Sequence, residues 1–171
     1  MKIILLGYMA SGKSVIGKLL AEQLGISCYD LDELIEKKEQ KSISKIFETK
    51  GEIHFRKIEH QVFKELIETS ESFVLSLGGG TPCYAGNDQY LNGASVVSFY
   101  LQTPLIILCK RLENEKKTRP LIANKKGEKL REFIAQHLFE RSYFYHKATY
   151  TINTETKKPE EIVSEIQKQL V

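Results

Sequence analysis

Eight residues near the start of the chain constrain its fold more than any others: Gly7-Tyr8-Met9-Ala10-Ser11-Gly12-Lys13-Ser14. They satisfy the pattern G-x-x-x-x-G-K-[ST] at every fixed position. The flanks have the right character. Ile3, Ile4, Leu5 and Leu6 form a short apolar run, as a buried parallel strand does. From Val15 to Ala21 the apolar residues recur at helical spacing. A strand, a glycine loop and a helix together make a cradle for a polyphosphate. Glycine lets backbone N–H groups turn toward the anion, and the helix N-terminus adds its partial positive charge. Gly7, Ala10, Ser11, Gly12 and Val15 are therefore expected around a bound nucleotide. Lys13 is placed to reach its β- and γ-phosphates, and the Ser14 hydroxyl to bind Mg²⁺. The loop leaves the reaction open, because GTPases, ATPases and small-molecule kinases share it.

The rest of the chain alternates strands and helices. Strands are expected over residues 2–6, 26–31, 73–77, 95–101 and 150–153. Helices are expected over 13–24, 33–38, 42–47, 52–69, 104–112, 130–146 and 159–170. Gly25 suits the stop of the first helix, Ser42 suits an N-cap, and Gly51-Glu52 breaks the helix that follows. This alternation predicts an α/β fold, a parallel sheet covered on both faces, with ligands at the carboxyl ends of the strands. Gly7–Ser14, the Asp30/Asp32 pair and Gly78–Gly80 all fall at that edge. A chain of 171 residues is enough for one domain. Residues 113–129 are dense in charge and poor in apolar side chains, and read as a mobile surface segment and candidate lid.

Several positions outside the loop carry chemistry. Many P-loop enzymes close a later apolar strand with an aspartate for the metal. Here that strand ends Leu75-Ser76-Leu77-Gly78 without an acid. Asp30 is then the candidate metal carboxylate. Asp32 could orient an acceptor hydroxyl. The alternative is that one of the two merely caps the following helix. Arg56 and Glu59, three residues apart on a helical face, read from spacing alone as an exposed ion pair. Gly78-Gly79-Gly80 after a buried strand admits close approach of a ligand. Arg119, in the candidate lid, suits neutralisation of a transferring phosphoryl group. Arg141 taken alone is a surface arginine or a carboxylate binder.

As an ordered set these residues resemble the shikimate kinase family along nearly the whole chain. The resemblance is carried by Gly7–Ser14 with Met9 inside the loop, Asp30-x-Asp32, and Gly51-Glu52-x-x-Phe55-Arg56-x-x-Glu59. It is carried further by Ser76-Leu77-Gly78-Gly79-Gly80, Arg119-Pro120-Leu121, and Arg141 followed by Tyr145. It implies a single domain with a three-layer P-loop kinase fold, its five parallel strands ordered 2-3-1-4-5 between helices. It also implies ATP-dependent phosphorylation of the 3-hydroxyl of shikimate, on the route to chorismate and aromatic amino acids. By position Asp32, Arg56, Gly78, Gly79, Gly80 and Arg141 resemble shikimate contacts, with substrate-binding helices at about 32–60. Ser14 and Asp30 resemble the magnesium positions. Lys13, Asp32 and Arg119 resemble the catalytic set, with Arg119 on the phosphates. Arg111 and the Asn153–Pro159 stretch resemble the adenine side. Three departures stand out: Ala10 where the loop usually has glycine, Val15 for threonine, and Ser142-Tyr143 for an Ala-Pro-like pair.

Composition narrows the setting. A net charge of +3 is too mild to imply a nucleic-acid partner. Cys28, Cys83 and Cys109 lack C-x-x-C spacing and read as reduced cytosolic thiols, making no metal pattern with the histidines. The apolar start is too short for a signal peptide or membrane span. A cytoplasmic monomer using Mg²⁺, with ATP and shikimate as its partners, is the resulting expectation. Three competing readings share the loop. A gluconate kinase would differ only at the acceptor site. A GTPase would need N-K-x-D, and the nearest stretch, Asn124-Lys125-Lys126-Gly127, lacks the acid. A nucleotide sensor without catalysis would leave catalytic positions unfilled.

Overall fold

The computed structural model describes residues 1–115 and 120–170. Five strands form one sheet: β1 (Lys2–Leu6), β2 (Ser27–Asp30), β3 (Phe73–Ser76), β4 (Val96–Gln102) and β5 (Tyr150–Asn153). Their order is β2-β3-β1-β4-β5, and every pairing is parallel. The helices are α1 (Lys13–Leu24), α2 (Leu31–Glu39), α3 (Ile43–Glu68), α4 (Leu105–Asn114), α5 (Gly127–Tyr145) and α6 (Pro159–Gln169). This is the strand order that the family resemblance implies.

Strand β1 shows how the sequence builds three layers. All its residues are buried. Successive side chains point to opposite faces of a sheet. Ile3 and Leu5 pack with Ile16 and Leu20 of α1 and Ile162, Val163 and Ile166 of α6. Ile4 and Leu6 pack on the other face, with side chains from α2, α3, α4 and α5. The central strand thus nails two cores together and ends at the phosphate loop.

Three local boundaries differ from the sequence expectation. Helix α2 begins at Leu31, because Asp30 caps it and accepts from the backbone N–H of Asp32 and Glu33. Gly51 (φ 80°, ψ 173°) kinks α3 where a break was expected, and the chain resumes its helix on the far side. Helix α5 starts at Gly127, earlier than its apolar pattern suggests.

The candidate lid needs a larger correction. It was expected to bury little. Pro120–Ile122 forms a 3-10 turn, and Ile122 is fully buried in the core that holds Leu112 and Leu130. Leu121, its neighbour, is exposed, and so short an apolar step in a charged run has no periodicity to say which of the two is buried. Arg119 lies outside the described residues. Among the described residues no helix is long and apolar enough to cross a membrane.

Candidate active site

The phosphate loop follows β1 directly. Gly12 (φ 97°) occupies the N-cap of α1 and offers no side-chain oxygen to the first-turn N–H groups. Those donors line a cleft of about 610 Å³ together with Asp30, Asp32, Gly78, Gly79 and Arg111. The Lys13 ammonium lies 2.9 Å from the carbonyl oxygens of both Gly7 and Tyr8. It donates to the loop it belongs to, which fixes the charge over the cradle.

Ala10 has a left-handed backbone, φ 64°. For a residue with a Cβ that conformation costs about 1–2 kcal/mol. The loop keeps its shape partly through Arg111, whose Nη1 donates to the Ala10 carbonyl at 2.8 Å. Arg111 thus reaches the loop backbone from α4 as well as lining the cleft. Thr154, Lys157 and Pro159 line the cleft's far end, so the Asn153–Pro159 stretch adjoins the loop. Ala10→Gly is expected to relieve the strain against a smaller entropic cost, raising Tm by about 1–4 °C. Thermal denaturation checks this; a lower Tm would show that the alanine methyl is needed.

Asp30 divides its two oxygens. Oδ1 caps α2, while Oδ2 accepts from the Ser14 hydroxyl at 3.3 Å. Capping α2 thus leaves one carboxylate oxygen facing Ser14. Asp32 stands in the first turn of α2, near Lys13 and Glu59. Burial first, then the charges of Asp30 and Glu59, push its carboxyl up to about 6, against the pull of Lys13. A carboxylate with that affinity is suited to taking a proton from a hydroxyl near neutral pH.

Two arginines meet at the triple glycine. The Arg56–Glu59 pair is no exposed ion pair. Glu59 is 1% exposed, accepts from Arg56 Nη1 at 2.8 Å, and also accepts from Thr81 Oγ1 at 2.7 Å. Arg141 lies over the Tyr8 ring, 5.5 Å from its centroid. Tyr145, one turn further along α5, hydrogen-bonds Arg141 and donates its hydroxyl to the Gly79 carbonyl. Burial pushes the Cys83 thiol up to about 11, though the positive charges of Arg141 and Arg56 both pull it down.

The glycines themselves explain the convergence. None of Gly78, Gly79 and Gly80 has a positive φ. A Cβ on Gly78 would stand 3.2 Å from Asp32 Oδ1, on Gly79 3.2 Å from Arg141 Nη1, and on Gly80 3.0 Å from Arg56 Nη2. The stretch was read as leaving room for a ligand. It also leaves room for the side chains of Asp32, Arg141 and Arg56. Glu59, Thr81 and Tyr145 were not among the expected site residues. The i, i+3 and i, i+4 spacings to Arg56 and Arg141 were the available signals for Glu59 and Tyr145. Thr81 had none.

The shikimate kinase family model matches residues 9–171. The chain belongs to the shikimate kinase family. A shikimate kinase of Flavobacterium psychrophilum is 49% identical over 167 residues, 98% of this chain and 97% of that protein. The crystal structure of a shikimate kinase from Bacteroides thetaiotaomicron superposes with a TM-score of 0.90 at 32% identity, covering 99% of this chain and 98% of the other. A shikimate kinase from Acinetobacter baumannii, solved in complex with shikimate, gives a TM-score of 0.87 at 33% identity, covering 99% of this chain and 92% of that one.

Proposed function

We propose that the protein transfers the γ-phosphoryl group of ATP to the 3-hydroxyl of shikimate, giving shikimate 3-phosphate and ADP. The observation that carries this reading is the approach of Arg56 and Arg141 to adjacent glycines beside the phosphate loop. Two guanidinium forks suit one carboxylate, and shikimate carries one. Gluconate also carries one, so the acceptor must be tested directly.

The steps follow from the residues. The loop N–H groups and Lys13 hold the β- and γ-phosphates. Arg56 and Arg141 hold the acceptor carboxylate, which turns the ring toward Asp32. Asp32 takes the hydroxyl proton as the oxygen bonds to the γ-phosphorus and the bond to the ADP oxygen breaks. Ser14 and Asp30 would hold Mg²⁺, which neutralises charge building on the phosphate oxygens. Two protein oxygens suit that ion, which keeps several waters and binds phosphates for the rest. Among the described residues no cluster of three or more His, Cys, Asp or Glu side chains competes for it. Arg119 retains the lid role implied by the resemblance, within a lid of about 113–129. The form proposed to act is the monomer. The free thiols of Cys28, Cys83 and Cys109 suit the cytoplasm.

An ATP-coupled assay with shikimate, quinate and gluconate side by side tests the reading. Turnover is expected with shikimate far above the other two. Preference for gluconate, or no turnover of shikimate, would overturn it. A subtler check uses Gly80→Ala. Its Cβ would displace the Arg56 guanidinium by a few tenths of an ångström. KM for shikimate should rise about ten-fold, roughly one good hydrogen bond, while KM for ATP stays unchanged.

A further inference from the structure

We propose that Tyr84 is a positioning residue for the acceptor: its ring stacks on Arg56 and holds that guanidinium in the plane its carboxylate partner requires. The proposal rests on the acceptor site described above. Arg56 Cζ lies 3.9 Å from the centroid of the Tyr84 ring, the distance of direct stacking. The Phe55 ring is further off, at 5.1 Å.

Hydrogen bonds alone do not fix Arg56. Glu59 grips Nη1, but Nε is buried without a hydrogen-bond partner. The Glu52 carboxylate stands 3.5 Å from Nε and is itself largely exposed. One strong bond at one end leaves the guanidinium free to swing about that bond. A ring lying flat against its face removes that freedom and keeps the fork aimed. Arginine loses less entropy per bond when its plane is preset.

The backbone is bent to deliver the ring. Tyr84 follows the 3-10 turn Thr81–Cys83 in an extended conformation, φ −125°. Ala85 (φ 52°) and Gly86 (φ 68°) are then both left-handed, which reverses the chain at once. The left-handed conformation at Ala85 is unfavourable for a residue with a Cβ, and such strain collects beside functional sites. Tyr84 is 40% exposed, so its ring is a wall beside the arginine and not a core filler.

Two variants separate stacking from bulk. Tyr84→Phe keeps the aromatic face; Tyr84→Leu keeps an apolar side chain without it. KM for shikimate should stay within about two-fold in Tyr84→Phe and rise about ten-fold in Tyr84→Leu. KM for ATP should hold in both. Equal shikimate KM values in the two variants would overturn the proposal. The second measurement needs no acceptor: ¹⁵N NMR of the Arg56 Nε–H group in the substrate-free protein. The ring current should shift this proton upfield in wild type and Tyr84→Phe, and the shift should vanish in Tyr84→Leu. An unshifted wild-type signal refutes the stacking whatever the acceptor is. A shifted signal in an enzyme inactive on shikimate refutes the acceptor assignment and leaves the stacking standing.

Discussion

Lys13→Met is expected to lower kcat about a thousand-fold while the protein stays folded. The reason is electrostatic. Charge moves onto the phosphate oxygens as the γ-phosphoryl group leaves, and a positive group already fixed beside them need not reorganise. Lys13 is fixed in this way by the Gly7 and Tyr8 carbonyls, each at 2.9 Å. Removing one such preorganised donor typically costs a factor of about 10²–10³ in turnover. Methionine keeps most of the apolar stem and cannot donate. The same two hydrogen bonds also brace the loop, so a modest loss of Tm should accompany the change. Steady-state kinetics beside a thermal melt checks both. A folded variant with near-normal turnover would remove the phosphate loop from the mechanism.

Asp32→Asn should separate activity from stability in opposite directions. Loss of the proton acceptor should cut kcat by about 10²–10⁴. The free protein, measured with chelator present, should become more stable at neutral pH. The sign follows from where the proton sits. Burial and the neighbouring carboxylates raise this carboxyl from 3.8 to about 6 in the folded state. Below pH 4 it is protonated in folded and unfolded chains alike and costs nothing. Between about 4 and 6 the unfolded chain ionises first, so folding becomes less favourable as pH rises. Above about 6 the penalty is complete, about 2–3 kcal/mol after allowance for partial exposure. Asparagine carries no such penalty. Denaturant midpoints should therefore favour Asp32→Asn at pH 7 and converge with wild type near pH 3.5. Equal stabilities at pH 7 would mean that Asp32 ionises at an ordinary carboxylate value.

Stretches that carry their own local signal were legible in the sequence. The loop pattern names Lys13 and Ser14 because the anion cradle needs those residue types in that order. The strand–helix alternation yields a parallel sheet, because each strand's apolar residues must be covered on two faces. Other features depend on partners distant in sequence. Arg56 and Glu59 look like a solvent-exposed pair on their own helix. They are covered by the turn holding Thr81, which no helical spacing can reveal. Ile122 sits in a short apolar step within a charged run, and it is buried in the core cluster shared with Leu112 and Leu130 of neighbouring helices, whereas Leu121 beside it is exposed. Tyr84 owes its place to two left-handed residues that follow it, one of them an alanine. Asp30 was seen as two competing roles, because a sequence does not show that its two oxygens can point different ways.

The glycine floor bears on how this enzyme can change. Gly78, Gly79 and Gly80 each face a different partner: Asp32, Arg141 and Arg56. A Cβ gained at any of them crowds a specific neighbouring side chain, so the three positions are expected to resist substitution. Selection from a library confined to residues 78–80 should return the parent sequence.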